Sequence, residues 1–334
     1  MEFADQMHLG VEHQTIQATG IDLTMMHLSI WTLCSGSAVQ TLATEPVAES
    51  TSAIANLSII QSMVLGIVQG LTEFLPISST AHIKVVPVAL GWGDPGVAFT
   101  AFIQLGSILS ILWYFWGDLS QVVMGTLRAI KTSNYDSTDF RIGLGILVGT
   151  IPIVIGGLIL KVLVPNFDES PLRSMAAIAF ASIVMSLLLA WAEYQGKRKR
   201  TYEDLGTRDG MLMGLAQTLA LMPGVSRSGS TLTAGLLMGM HRPAAARFSF
   251  LLGIPAITLA GVVGLKDLVD VGFEGTSIAA LIAGFITATI SSYLAIAWLL
   301  NFLKKHSTWV FVWYRLGFGV IILGSIWMGL IDNR

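Results

Sequence analysis

Two short stretches of this 334-residue chain gather the residue types that chemistry needs. In GIVQGLTEFLPISSTAHIK, Gln69 and Glu73 stand at i and i+4, so on a helix they share a face and can converge on one ion or proton. Pro76 then withholds a backbone donor and helps to end that helix, leaving Ser78, Ser79, Thr80 and His82 around an irregular turn. A carboxylate, hydroxyls and an imidazole so close together are the parts of a hydrolytic site. The stretch LMPGVSRSGSTLTAG supplies a complementary set. Gly224 and Gly229 let the backbone expose successive N–H groups, Arg227 offers a planar fork of donors, and Ser226, Ser228, Ser230 and Thr231 surround it. A helix restarting near Ser230 or Thr231 turns its positive end toward this loop, which makes a cradle suited to phosphate. The competing reading of Arg227 is an internal salt bridge with Glu73 in a transporter gate.

These residues need elements to hold them, and composition says of what kind. Hydrophobic residues make up 53% of the chain and charged residues 12%, with a net charge of −2 and a mean hydropathy of +0.70. A soluble globular enzyme carries about 25% charged residues, so the class is a polytopic membrane protein. The few, scattered basic residues offer no nucleic-acid surface, and the lone Cys34 cannot form an internal disulfide. Apolar segments at 99–117, 141–164, 172–193, 244–265, 276–300 and 309–330 can be laid against a hydrocarbon core that takes about 20 helical residues to cross. The regions 57–91 and 209–240 are apolar but broken midway by PISSTAH and PGVSRSGST, and read as re-entrant hairpins. The expected fold is all-α, about six transmembrane helices plus two re-entrant helical hairpins.

Loop charges orient these segments. Loops 118–141 (Arg128, Lys131, Arg141), 195–208 (Lys197, Arg198, Lys199, Arg200, Arg208) and 301–308 (Lys304, Lys305) are expected to be cytoplasmic, whereas the opposite loops carry one basic residue each, Arg173 and Lys266. On this topology the two hairpins enter from opposite sides. A near-fixed offset of 147 to 148 residues repeats Gly66, Gln69 and Leu71 as Gly214, Gln217 and Leu219, Pro76 and Ser79 as Pro223 and Ser226, and Phe102 and Gly106 as Phe250 and Gly253. Inverted halves at about 57–190 and 205–334 would bring the two broken tips together near the bilayer midplane. An ionised Glu73 at that depth costs at least about 2.5–3.5 kcal/mol and needs a partner, a metal or water.

QGLTEFLPISSTAH and PGVSRSGST resemble the two signature motifs of the bacterial undecaprenyl-diphosphatase family, also called bacitracin-resistance proteins. The similarity runs from about Leu57 to the C-terminus, through FIQLGSIL at 102–109, FSFLLGIP at 248–255 and the late Tyr314–Arg315 pair. The resemblance implies hydrolysis of undecaprenyl diphosphate to the monophosphate and inorganic phosphate in the bacterial plasma membrane. It thereby implies recycling of the lipid carrier for peptidoglycan synthesis, bacitracin resistance, and a divalent cation, Mg2+ or Ca2+. The family's first motif is Glu or Gln, three residues, then Glu; this chain has the Gln variant at Gln69, one carboxylate fewer for a metal.

On this reading Glu73, with Gln69 as a neutral second ligand, holds the cation. Arg227 clamps the diphosphate among Ser226, Ser228 and the Gly229 backbone, while Ser78, Thr80 and Thr231 also bind substrate. Ser79 as nucleophile with His82 as its base is favoured, because His82 sits three residues on; direct attack by His82, and water positioned by either, stay open. The expected partners are a polyprenyl diphosphate lipid and membrane lipids, with a homodimer left open. A polyprenyl-phosphate flippase or ion-coupled transporter on the same inverted repeat is the alternative.

Other residues carry plainer expectations. Asp94 in GWGDPG reads as a turn residue, Glu193 beside KRKR as an interfacial charge, and Asp204 as part of no constellation. Trp113, Trp116 and Trp191 read as interfacial anchors, and Arg315, inside a hydrophobic run, is expected to pair within the bundle. Residues 1–56 are polar, with no Lys or Arg, and read as a disordered extension rather than a signal peptide, a start at Met25 or Met26 being the alternative.

Overall fold

The computed structural model describes residues 57–164, 167, 170–271 and 277–333; the polar extension and Cys34 lie outside the described residues. Eleven α-helices occur among the described residues: α1 (Ile59–Phe74), α2 (Ser79–Ala89), α3 (Val97–Tyr114), α4 (Trp116–Thr132), α5 (Thr138–Leu163), α6 (Met175–Gln195), α7 (Thr207–Thr218), α8 (Arg227–Leu237), α9 (Arg242–Val271), α10 (Ile278–Lys305) and α11 (Trp309–Trp327). Helices α5, α6, α9, α10 and α11 are long and apolar enough to cross a membrane. Serines 137, 174 and 277 start α5, α6 and α10, each side chain accepting a bond from the backbone N–H three residues on. Leu147, Ile151, Ile155 and Leu158 line an exposed apolar face of α5, as a helix bathed in lipid requires. The chain is an all-α polytopic membrane protein.

The expected span at 99–117 is instead α3, followed by α4 with its axis turned by 66°. Most of the segment read as a loop at 118–141 is therefore helical. Its pattern explains the misreading: Val122 and Ala129 face inward among polar and charged neighbours, and such a mixture averages out in a hydropathy scan.

Both broken regions consist of pieces too short to span, with 16 and 11 residues in α1 and α2, and 12 and 11 in α7 and α8. Helix α1 packs along α10 and α7 along α5. Both crossings rely on glycine: a Cβ on Gly66 would strike the Gly284 carbonyl, and one on Gly214 the Gly149 carbonyl. The repeat in sequence thus reappears as a repeated close crossing.

Glu193 lies near the end of α6 beside the basic loop, and it is only 2% exposed, held where that end meets the starts of α9 and α11. Its carboxylate accepts from the Arg242 guanidinium, from Arg198 at 2.9 Å and from the Thr308 hydroxyl at 2.7 Å. Asp204 is also engaged, accepting from the Thr201 N–H at 2.8 Å and hydroxyl at 3.0 Å. Asp94 behaves as a turn residue, accepting from the Gly96 N–H at 2.9 Å.

Candidate active site

Helix α1 ends at Phe74 and α2 begins at Ser79; in the second half a 3-10 turn at Leu219–Leu221 leads to Met222–Ser226, and α8 begins at Arg227. The restart at Arg227 comes earlier than the Ser230 or Thr231 expected from sequence. The residues before α2 and α8 share an unusual backbone: Ser78 has φ 76° and ψ 99°, Ser226 has φ 72° and ψ 116°. An L-residue with a Cβ is disfavoured there, at a cost of order 1–3 kcal/mol each. This strained pair fixes the register of the repeat. Ser78 corresponds to Ser226, not Ser79 as the sequence alignment has it, and so Ser79 and Arg227 are both the first residues of their helices. The side chains at these two helix starts meet at Glu73, and a helix N-terminus favours an anion.

Glu73 joins the tips. Its Oε2 accepts from the Ser79 hydroxyl at 2.6 Å and from the Gln69 amide at 3.2 Å, and its Oε1 accepts from Arg227 Nη2 at 3.2 Å. The side chains of Glu73 and Arg227 are each 9% exposed. The salt bridge expected of a gate therefore exists, but it occupies only one donor nitrogen of the guanidinium. Arg227 Nε and Nη1 are buried without a partner, with Nη1 pressed against Gly253, where a Cβ could not fit. Each buried donor lacking an acceptor costs about 1–3 kcal/mol, which an incoming oxyanion would recover.

Around Arg227 the second tip is wired tightly. The Ser226 hydroxyl caps α8 by accepting from the Gly229 N–H at 3.1 Å and lies 3.2 Å from the Ser228 hydroxyl, which donates to the Leu75 carbonyl of the first tip at 3.0 Å. Thr231 is fully buried and donates to the Arg227 carbonyl at 2.8 Å, supporting the start of α8 from behind. Thr80 is exposed beside the half-buried Ser79.

His82 does not face Ser79. Its Nδ1 lies 2.7 Å from the Ser78 carbonyl, which can only accept, so Nδ1 carries a proton, and Nε2 shares a hydrogen bond with the Tyr314 hydroxyl, also 2.7 Å away. The ring stacks on Phe318 at 4.4 Å. Ser79 finds its acceptor in Glu73 instead.

For Arg315 the sequence predicts pairing within the bundle. It is 1% exposed and donates to the Pro76 carbonyl at 3.0 Å, and to the Gly224 and Val225 carbonyls at 2.8 and 3.0 Å. Breaking two helices in the buried interior leaves carbonyls without donors, and one guanidinium satisfies three of them across both tips. No carboxylate pairs with Arg315 among the described residues, so its charge adds to that of Arg227 against the single Glu73. Gly229 makes room for it: a Cβ there would stand 2.9 Å from Arg315 Nη1. The signal in sequence was an arginine in an apolar run, which names the residue but not its partners.

The family model described as "Bacitracin resistance protein BacA" matches residues 62–321. An undecaprenyl-diphosphatase of Trichormus variabilis is 64% identical over 280 residues, covering 84% of this chain and 88% of the relative. Those of Trichodesmium erythraeum and Gloeobacter violaceus are 56% identical over 294 residues and 55% over 277, covering 88% and 83% of this chain and 93% and 95% of the relatives. With its two motifs folded into one constellation and the match running across both halves, the chain belongs to the BacA bacitracin-resistance protein family.

Proposed function

We propose that this chain is an integral membrane phosphatase that hydrolyses undecaprenyl diphosphate to undecaprenyl phosphate and inorganic phosphate. In that role it would recycle the lipid carrier for peptidoglycan synthesis in the bacterial plasma membrane and confer resistance to bacitracin. The observation that carries the reading is the bond from the Ser79 hydroxyl to Glu73, whose other oxygen is held by an arginine from the opposite tip. The names of the relatives support the substrate.

In the proposed reaction the terminal phosphate enters against Arg227, whose free Nε and Nη1 receive its oxygens together with the N–H groups at the start of α8. Ser79 Oγ attacks that phosphorus and passes its proton to Glu73 Oε2, while the bridging P–O bond breaks and lipid monophosphate leaves. Water then displaces the phosphoryl group from Ser79, the serine recovering a proton, and inorganic phosphate departs. Arg315 fixes the distance between nucleophile and clamp by tying Pro76 to Gly224 and Val225. His82, locked between Ser78 and Tyr314, holds the entry turn of α2.

Glu73 and Gln69 converge on one point, their polar atoms 3.2 Å apart, and the Ser79 hydroxyl adjoins them. Among the described residues no group of three His, Cys, Asp or Glu could hold a metal by itself. The donor set still fits Mg2+ or Ca2+, since Mg2+ commonly takes one or two carboxylates and completes its shell with substrate phosphate and water. When bound, the cation would neutralise charge on the diphosphate. The loops at 118–141, 195–208 and 301–308 face the cytoplasm in this proposal, and the halves are related as an inverted repeat.

Purified protein in detergent, given a prenyl diphosphate with Mg2+ or Ca2+, is expected to release one phosphate per lipid. Absence of release would turn the assignment toward transport.

A further inference from the structure

A cavity of about 720 Å³ opens at the end of the bundle where the basic loops gather, away from the catalytic tips. Its wall includes Tyr114 and Asp118 at the elbow between α3 and α4, Tyr202 in the loop after α6, Arg247 on α9, and Tyr293 and Lys304 on α10. Three rings separate it from the active site: Phe115 at its base meets Phe250 at 6.0 Å, and Phe250 meets Phe74 at 5.6 Å, over which Arg227 lies at 6.0 Å. Nothing in the proposed hydrolysis uses it.

The charges on its wall do not balance. Arg247 grips Asp118 with two bonds, of 3.0 and 2.7 Å, and rests its guanidinium 4.2 Å over the Tyr202 ring. Lys304 is exposed and makes no ion pair among the described residues. His241 also lines the wall; Asp118 is the one carboxylate among the lining residues, with Glu203 near Arg247 and Asp139 near Tyr202 outside it. The Tyr202 hydroxyl is buried without a hydrogen-bond partner. Burial pushes that phenol up to about 12, so it stays a neutral donor lacking an acceptor.

The depth of the cavity follows from α4, which leaves α3 at this elbow with a turn of 66°. Trp116, Val123, Met124, Leu127 and Ile130 form an exposed apolar stripe on α4, while Arg128 and Lys131 are also exposed. A helix with such a stripe, bent away from the spanning direction, suits the interface, with acyl chains below and headgroups beside it. The mouth of the cavity would then stand at headgroup level. An apolar floor, two cations against one carboxylate, and an unmet donor suit an anion attached to a lipid.

We propose that this cavity is a second binding site, separate from the catalytic tips, for the phosphate-bearing headgroup of an anionic membrane lipid. Free inorganic phosphate shares the chemistry, and the two sources separate by experiment. Binding of a short-chain phosphatidic acid to the detergent-purified full chain is measured by native mass spectrometry or thermal shift. Inorganic phosphate and a short-chain phosphatidylcholine serve as the other arms. Affinity for phosphatidic acid is expected to fall about fivefold in Lys304→Gln, the weight of one basic residue at an anionic surface. A loss is also expected in Tyr202→Phe, whereas Arg227→Gln, which alters the catalytic tip, should retain binding. Lys304 is exposed, so its variant tests the site without loading the fold, and phosphate release from a prenyl diphosphate should be unchanged. A response to inorganic phosphate that needs Lys304 as much as the lipid response does would assign the site to the free anion. Equal binding of phosphatidylcholine, or binding that survives Lys304→Gln but not Arg227→Gln, would overturn the proposal.

Discussion

Glu193 and Glu73 are both carboxylates buried against arginine, and they are equipped very differently. Glu193 is saturated: Arg242 grips it with two nitrogens, Arg198 adds a third guanidinium contact, and Thr308 donates through both hydroxyl and N–H. Glu73 takes one bond from an arginine that keeps two other nitrogens idle, one from a serine at the start of a helix and one from an amide. Both carboxylates lie buried among arginines. One donor, Arg198 Nε, is left over beside Glu193, whereas Glu73 has two on Arg227 together with a serine hydroxyl at the start of a helix, and that pairing of idle donors with a nucleophile separates a reaction centre from a fastening.

That contrast can be broken by substitution. The largest effect is expected from Glu73→Gln, which removes the acceptor of the Ser79 proton: phosphate release from a prenyl diphosphate should fall by roughly 10³-fold or more at equal folded concentration, with a smaller loss of thermal stability than at Glu193 because one guanidinium bond is lost rather than several. Glu193→Gln should do the reverse. Leaving Arg242 and Arg198 uncompensated is expected to destabilise by about 3–5 kcal/mol in denaturant or thermal unfolding, while turnover per folded molecule stays close to normal. Arg227→Lys keeps the charge but loses the fork of donors, so about 10²–10³-fold in turnover should disappear. The smallest effect is expected for Tyr314→Phe, which removes one bond from His82 at 2.7 Å and should slow turnover by about tenfold or less, measured in the same assay.

The parts of the site were legible in sequence to the extent that they are local. Pro76 ends α1, Gly224 takes φ 88° in the second tip, and both breaks fall where the sequence places them. The six apolar segments all correspond to helices, although the one at 99–117 continues around a bend into α4. What could not be read depends on contacts between distant residues. The carbonyls that Arg315 satisfies lie 239, 91 and 90 positions away, and no periodicity announces them. The place of Glu193 beside KRKR was legible, but its partner Arg242 is 49 residues on. The direction of His82 was equally invisible: spacing brings it within reach of Ser79, and Tyr314 from α11 takes its ring instead. The one-residue shift in the repeat came from backbone strain at Ser78 and Ser226, which identical letters at Ser79 and Ser226 concealed.

The central claim is that Ser79, joined to the Glu73 carboxylate that Arg227 holds from the opposite tip, attacks phosphorus. It is tested most directly by phosphate release from a prenyl diphosphate, comparing Ser79→Ala and His82→Ala with the unaltered protein at equal folded concentration. The serine variant is predicted to lose more than about 10³-fold while the histidine variant keeps measurable turnover. Near-normal release by Ser79→Ala would contradict the account.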